Sequence, residues 1–116
     1  MSTTEEYVLA GKNNDFKLLI ELDEVPIDFD TATRFVLTLT DEENEREIVI
    51  DTDTNAGAIA GDSVGIVTFI IGLLVDDTQK GLYDARLCVY DPLHVEGQVL
   101  VDWCATGLPN LSVMIC

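Results

Sequence analysis

Apolar residues fall at every second position in one stretch of this chain after another, and the three-to-four-residue spacing of an amphipathic helix is hard to find. In DFKLLIEL, Phe16, Leu18, Ile20 and Leu22 point one way while Lys17, Leu19 and Glu21 point the other. That period is the mark of a strand buried on one face. It recurs in RFVLTLT, with Phe35, Leu37 and Leu39 on the inner face, then in IVI at 48–50 and in Val67, Phe69 and Ile71. It continues through Tyr83, Ala85, Leu87 and Val89, through Val99, Val101 and Trp103 in QVLVDW, and in the closing LSVMIC. Asp102 is placed outward in this phase, because a carboxylate resists burial.

Turn-forming residues separate these runs: EVPIDFDTAT, the charged DEENERE, DTDTNAGAIAGDSVG with a short strand near Ile59, DDTQKG and DPLHVEG. About seven strands at such intervals, with no helices to make parallel crossovers, predict an immunoglobulin-like antiparallel β-sandwich, with a small barrel as the competing architecture. At 116 residues, 47% of them hydrophobic, the chain suits a single domain over 1–116 with its own core. Phe16, Phe35, Tyr83, Leu87 and Trp103 are expected to share that interior.

The stretch KGLYDARLCVYDP shows how such a chain passes between its sheets. Gly81 can take the positive φ that a crossing requires, and Tyr83 two places later can bury its ring and return its hydroxyl to an upstream carbonyl. This is a tyrosine corner, with DDTQ as the connecting loop. Gly81, Tyr83 and Trp103 are therefore expected to be structural.

Charge narrows the partners. Twenty-two Asp and Glu against six Lys and Arg leave a net charge of −16, which repels phosphate backbones and favours docking on basic protein surfaces. Adaptation to high salt would leave a similar composition. No nucleic-acid partner is expected, and no membrane, since the longest apolar run, GIVTFIIGLLV, is about half of what spans a bilayer. The polar, acidic opening MSTTEEY lacks the pattern of a secretory signal, so a cytoplasmic site of synthesis is expected.

Candidate chemistry is sparse. Asp51, Asp53, Asn55 and Asp62 match four oxygen positions of a calcium loop, but the glycine is displaced to Gly57 and Asp stands where a bidentate Glu is needed, so a solvated turn is the stronger expectation. His94 sits in a turn near Asp91 and Glu96 without a nucleophile motif. No cofactor, metal or catalytic residue is predicted, and the chain is read as non-enzymatic. Cys88, Cys104 and Cys116 are spaced for neither a disulfide framework nor a zinc site. With the last hairpin turning near residue 94, opposite positions sum to about 188, which puts Cys88 across from Leu100 and Cys104 across from Asp84 and leaves both unpaired. Free edges, among them the final strand LSVMIC, offer assembly by strand addition.

The order of GKNNDFKLLIEL, VPIDFDTATRFVLTLTD, GIVTFIIG, GLYDARLCVYDP and VLVDW resembles small immunoglobulin-like modules of tailed-phage virion proteins. The resemblance implies a structural subunit of the virion, made in the host cytoplasm and assembled in multiple copies on capsid, portal or tail proteins. Lacking a fibre or coiled-coil extension, the chain is expected to be a capsid decoration or accessory subunit. The alternatives are a tail or baseplate accessory and a carbohydrate- or host-surface-binding module, for which Tyr7 and Tyr90 are the candidate contact aromatics.

Overall fold

A computed structural model of the chain describes residues 3–102 and 108–116. It is an all-β protein. Its strands are β1 (Thr3–Val8), β2 (Phe16–Leu19), β3 (Glu21–Leu22), β4 (Val25–Pro26), β5 (Arg34–Asp41), β6 (Arg46–Asp51), β7 (Ile59–Gly61), β8 (Ile66–Phe69), β9 (Gly81–Asp91), β10 (His94–Asp102) and β11 (Asn110–Ile115). The large sheet runs β1-β11-β9-β5-β6, with β10 beside β9, and a smaller sheet runs β2-β8-β7. The two sheets make a sandwich-like all-β fold, as expected, but with eleven strands among the described residues rather than about seven, several of them only two to four residues long, and with one parallel pair, β1 with β11.

The long strand β9 organises the large sheet. Asp84 to Tyr90 pair with β5 along one edge, while the other edge is shared, β11 taking Gly81 to Asp84 and β10 taking Arg86 to Asp91. Inward side chains of both sheets form one buried cluster. Leu37, Leu39, Ala85, Leu87 and Val113 enter it from the large sheet, and Val67 and Phe69 from the small one. Phe16 and Phe69 stack across β2 and β8 with ring centroids 4.7 Å apart.

The corner before β9 is built as a clamp. Asp76 caps the short 3-10 turn Asp77–Gln79, accepting from the Thr78 N–H, while the Gln79 side chain accepts from the Asp76 N–H. Tyr83 is 1% exposed and its hydroxyl donates to the Gln79 carbonyl at 2.8 Å. Gly81 has φ +144°, a conformation that L side chains rarely adopt. The Arg46 guanidinium lies 5.2 Å from the centre of the Tyr83 ring and reaches both Asp41, at 2.6 Å, and the Thr78 carbonyl, at 3.4 Å.

Several expectations are corrected. Leu22 is exposed, because β2 ends and Asp23 and Glu24, both at positive φ, close a two-residue hairpin that carries β3 and β4 away from the core. In β10 the phase slips. Val99 faces outward at 37% exposure, whereas Leu100, Val101 and Asp102 are all buried. Register shifts between His94 and Gln98 and between Val99 and Val101 place Cys88 opposite Val99 rather than Leu100. Asp84 pairs with Ser112 of β11. Asp102 tolerates burial because its carboxylate meets the Arg86 guanidinium at 3.2 Å. LSVMIC is not a free edge: β11 lies between β9 and β1, and the polar opening of the chain, to which the alternation assigned no strand, forms β1 parallel to it. Trp103 and Cys104 lie outside the described residues.

Replacing Tyr83 with Phe deletes one hydrogen bond and keeps the ring, so urea unfolding is expected to show a loss of about 1 kcal/mol. Tyr83→Ala also opens a core cavity and is expected to cost roughly 3–5 kcal/mol. Equal losses for the two would show that the hydroxyl, and not the ring, holds the corner.

Candidate docking surface

The positions singled out as possible calcium ligands are separately employed. Asp51 receives two nitrogens of Arg34, the Nε at 2.9 Å, and accepts the Asp53 N–H at 3.0 Å. Asp53 is a second, weaker partner of Arg34 at 3.3 Å. The Asn55 backbone closes a turn onto the Asp51 carbonyl. Asp62 caps its own turn, one oxygen accepting the Val64 and Ile66 N–H groups at 3.0 Å each. Among the described residues no group of three or more acidic, His or Cys side chains is placed to hold a metal ion, and the oxygens of Asp51, Asp53 and Asp62 named above meet local partners.

The candidate aromatics do not form a platform either. Tyr7 is 60% exposed and shares a cross-strand row with Met114 and Leu82. Tyr90 is half-buried beneath Arg34, whose guanidinium sits 4.8 Å from its ring centre. Eight residues of β9 separate the Leu82 row from Tyr90, about 27 Å at the rise of a strand.

His94 and its neighbours form a projecting point. Pro92 and Leu93 alone connect β9 to β10, and one oxygen of Asp91 accepts the Leu93 N–H at 2.9 Å and the His94 N–H at 2.8 Å, with His94 Nδ1 at 2.9 Å. Burial raises the Asp91 carboxyl, but these contacts outweigh it and hold it below the usual carboxylate range. Behind the turn, Gly97 at φ +90° lets β10 pass close to β9. A Cβ there would fall 2.5 Å from Cys88 Sγ and 2.9 Å from the Tyr90 ring. The result is a braced hairpin tip that leaves Leu93 90% and Val95 77% exposed. Neither residue stands out in the sequence as functional. The available signal is a leucine and a valine within the turn-forming segment DPLHVEG.

The three arginines are all tied to aspartates: Arg34 to Asp51, Arg46 to Asp41 and Arg86 to Asp102. Much of the basic charge is thus spent inside the large sheet, and the excess of carboxylates faces outward. Arg34 beside it holds the Asp51 carboxyl down to about 2, from an ordinary 3.8.

A depressed folded-state value means that the pair stabilises the protein above the ordinary carboxylate value and ceases to do so as pH falls through about 2. Acid titration of stability between pH 5 and pH 2 is therefore expected to fall less steeply in Asp51→Asn than in the parent, by roughly the one proton that the substitution removes. Millimolar calcium is expected to leave the thermal midpoint of the parent unchanged, and a rise would restore the calcium reading. Comparison of the chain with family models, with curated proteins and with solved structures finds no match to any of them.

Proposed function

We propose that the chain is a non-enzymatic structural subunit of a tailed-phage virion, a capsid decoration or accessory protein that docks on a larger protein lattice. The observation that carries the reading is the β9–β10 tip. Two large apolar side chains, Leu93 and Val95, are held in solvent by a turn whose backbone and His94 ring are pinned to Asp91. A pre-ordered apolar point loses little conformational freedom when it enters a partner's pocket, so its burial translates into affinity. The resemblance of the strand order and the tyrosine corner to phage modules supports the virion as the setting.

The net charge of −16 serves the same purpose at longer range. It repels copies of the chain from one another and draws them toward basic patches on the lattice. Strand addition has fewer routes than the alternation suggests, because β11 is paired on both sides; the outer strands β1 and β6 are the ends of the large sheet's path.

Mass spectrometry of virions purified from a lysate of the encoding phage is expected to find the chain in many copies per particle, and its absence would overturn the assignment. On particles that lack it, purified Leu93→Ser/Val95→Ser protein is expected to bind at least roughly tenfold more weakly than the parent, about 1.4 kcal/mol. Its thermal midpoint is expected to be unchanged, because neither side chain touches the core. Raising the salt concentration is expected to slow the association of both proteins alike.

A further inference from the structure

The register of the large sheet lays out a second surface, on the face turned away from the core. Glu5, Ser112, Asp84, Thr40 and Glu47 are successive cross-strand partners on β1, β11, β9, β5 and β6, and so form one row. At the spacing of neighbouring strands the row is about 19 Å long. Two residues further along, Tyr7, Met114 and Leu82 form a parallel row of exposed or half-buried apolar side chains. An acidic line therefore runs beside an apolar one, about 7 Å away.

No ion pair among the described residues reaches Glu5, Asp84 or Glu47, and the arginines of this sheet are already engaged by Asp41, Asp51 and Asp102. Asp84, at the centre, is raised above the usual carboxylate range by partial burial and then by Glu42 and Asp41 nearby. The row thus gathers negative charge without a counter-charge of its own. A second copy of the chain is a poor cover, since two-fold docking would lay this row against itself. A nucleic acid or an anionic membrane would be repelled in the same way.

We propose that this face docks a cationic amphipathic segment of a partner protein, whose apolar side chains cover Tyr7, Met114 and Leu82 while its Lys or Arg residues meet Glu5, Asp84 and Glu47. A helix of about 13 residues has the length of the acidic row. The inference goes beyond the reading above, which rests on the hairpin tip, and the two can fail separately: this face is tested with the isolated chain, without virions.

The probe is a 14-residue helical peptide with a leucine stripe flanked by lysines, titrated into the full-length isotope-labelled chain and followed by amide chemical shifts. Shifts are expected to centre on Leu82, Asp84, Ser112 and Met114. Binding is expected to weaken roughly tenfold in Asp84→Asn/Glu47→Gln, and as much when the leucines of the peptide become serines. Glu21→Gln/Glu24→Gln, around the β3–β4 turn, is expected to bind as the parent does. The proposal is overturned by the absence of binding, by shifts centred elsewhere, by a serine peptide that binds equally well, which would reveal generic attraction to acid, or by a dimer built on this face in sedimentation of the chain alone.

Discussion

The bond from the Tyr83 hydroxyl to the Gln79 carbonyl holds the start of β9 in place, and β9 holds the large sheet. Three other strands pair directly with β9, so an error in where it begins would move all of them by the same amount. A one-residue slip would turn Tyr83, Ala85, Leu87 and Val89 outward together. The corner guards against this with parts from four places in the chain: the Asp76 cap, the turn of Gly81, the Tyr83 ring and the Arg46 guanidinium that spans to Asp41. In antibody domains a disulfide joins the two sheets near this point. Here Ala85 occupies the position two residues after the tyrosine, and packing takes over that task.

Much of this was legible because it depends on local pattern. Alternation in β5 and β9 assigned the inner face correctly along both strands, and the pairing of glycine with tyrosine pointed to the corner. Other features depend on contacts between distant residues. The first register shift in β10 falls where Gly97 passes close to Cys88 and Tyr90 and the second between Val99 and Val101, and no count of positions within β10 contains either. β1 shows one clearly buried side chain, Val8, and its partner lies at the far end of the chain, so TTEEYV reads as a polar lead-in. Leu22 was misjudged because alternation continues in the sequence past Ile20, where the strand itself stops.

The proposed docking surfaces were less legible for a related reason. An apolar residue in a strand reads as core until its phase and its cover are known. Leu82 and Met114 alternate with buried neighbours and are visibly outward, but only the register across three strands aligns them with Tyr7. The carboxylates pose the converse difficulty: 22 of them offer no contrast until the aspartates that bind arginines are set aside.

The parallel union of β1 with β11 has a kinetic side. Among the described strands β1 leaves the ribosome first and its partner leaves last, so about a hundred intervening residues must be made before that seam can close. Such long-range closure is slow. Through the delay, β1 is a loose ribbon with an unsatisfied backbone, the kind of segment that recruits strangers into aggregates. Glu5 and Glu6 give it a charge that keeps nascent neighbours apart, so Glu5, which faces outward in the finished protein, also protects the ribbon while it waits.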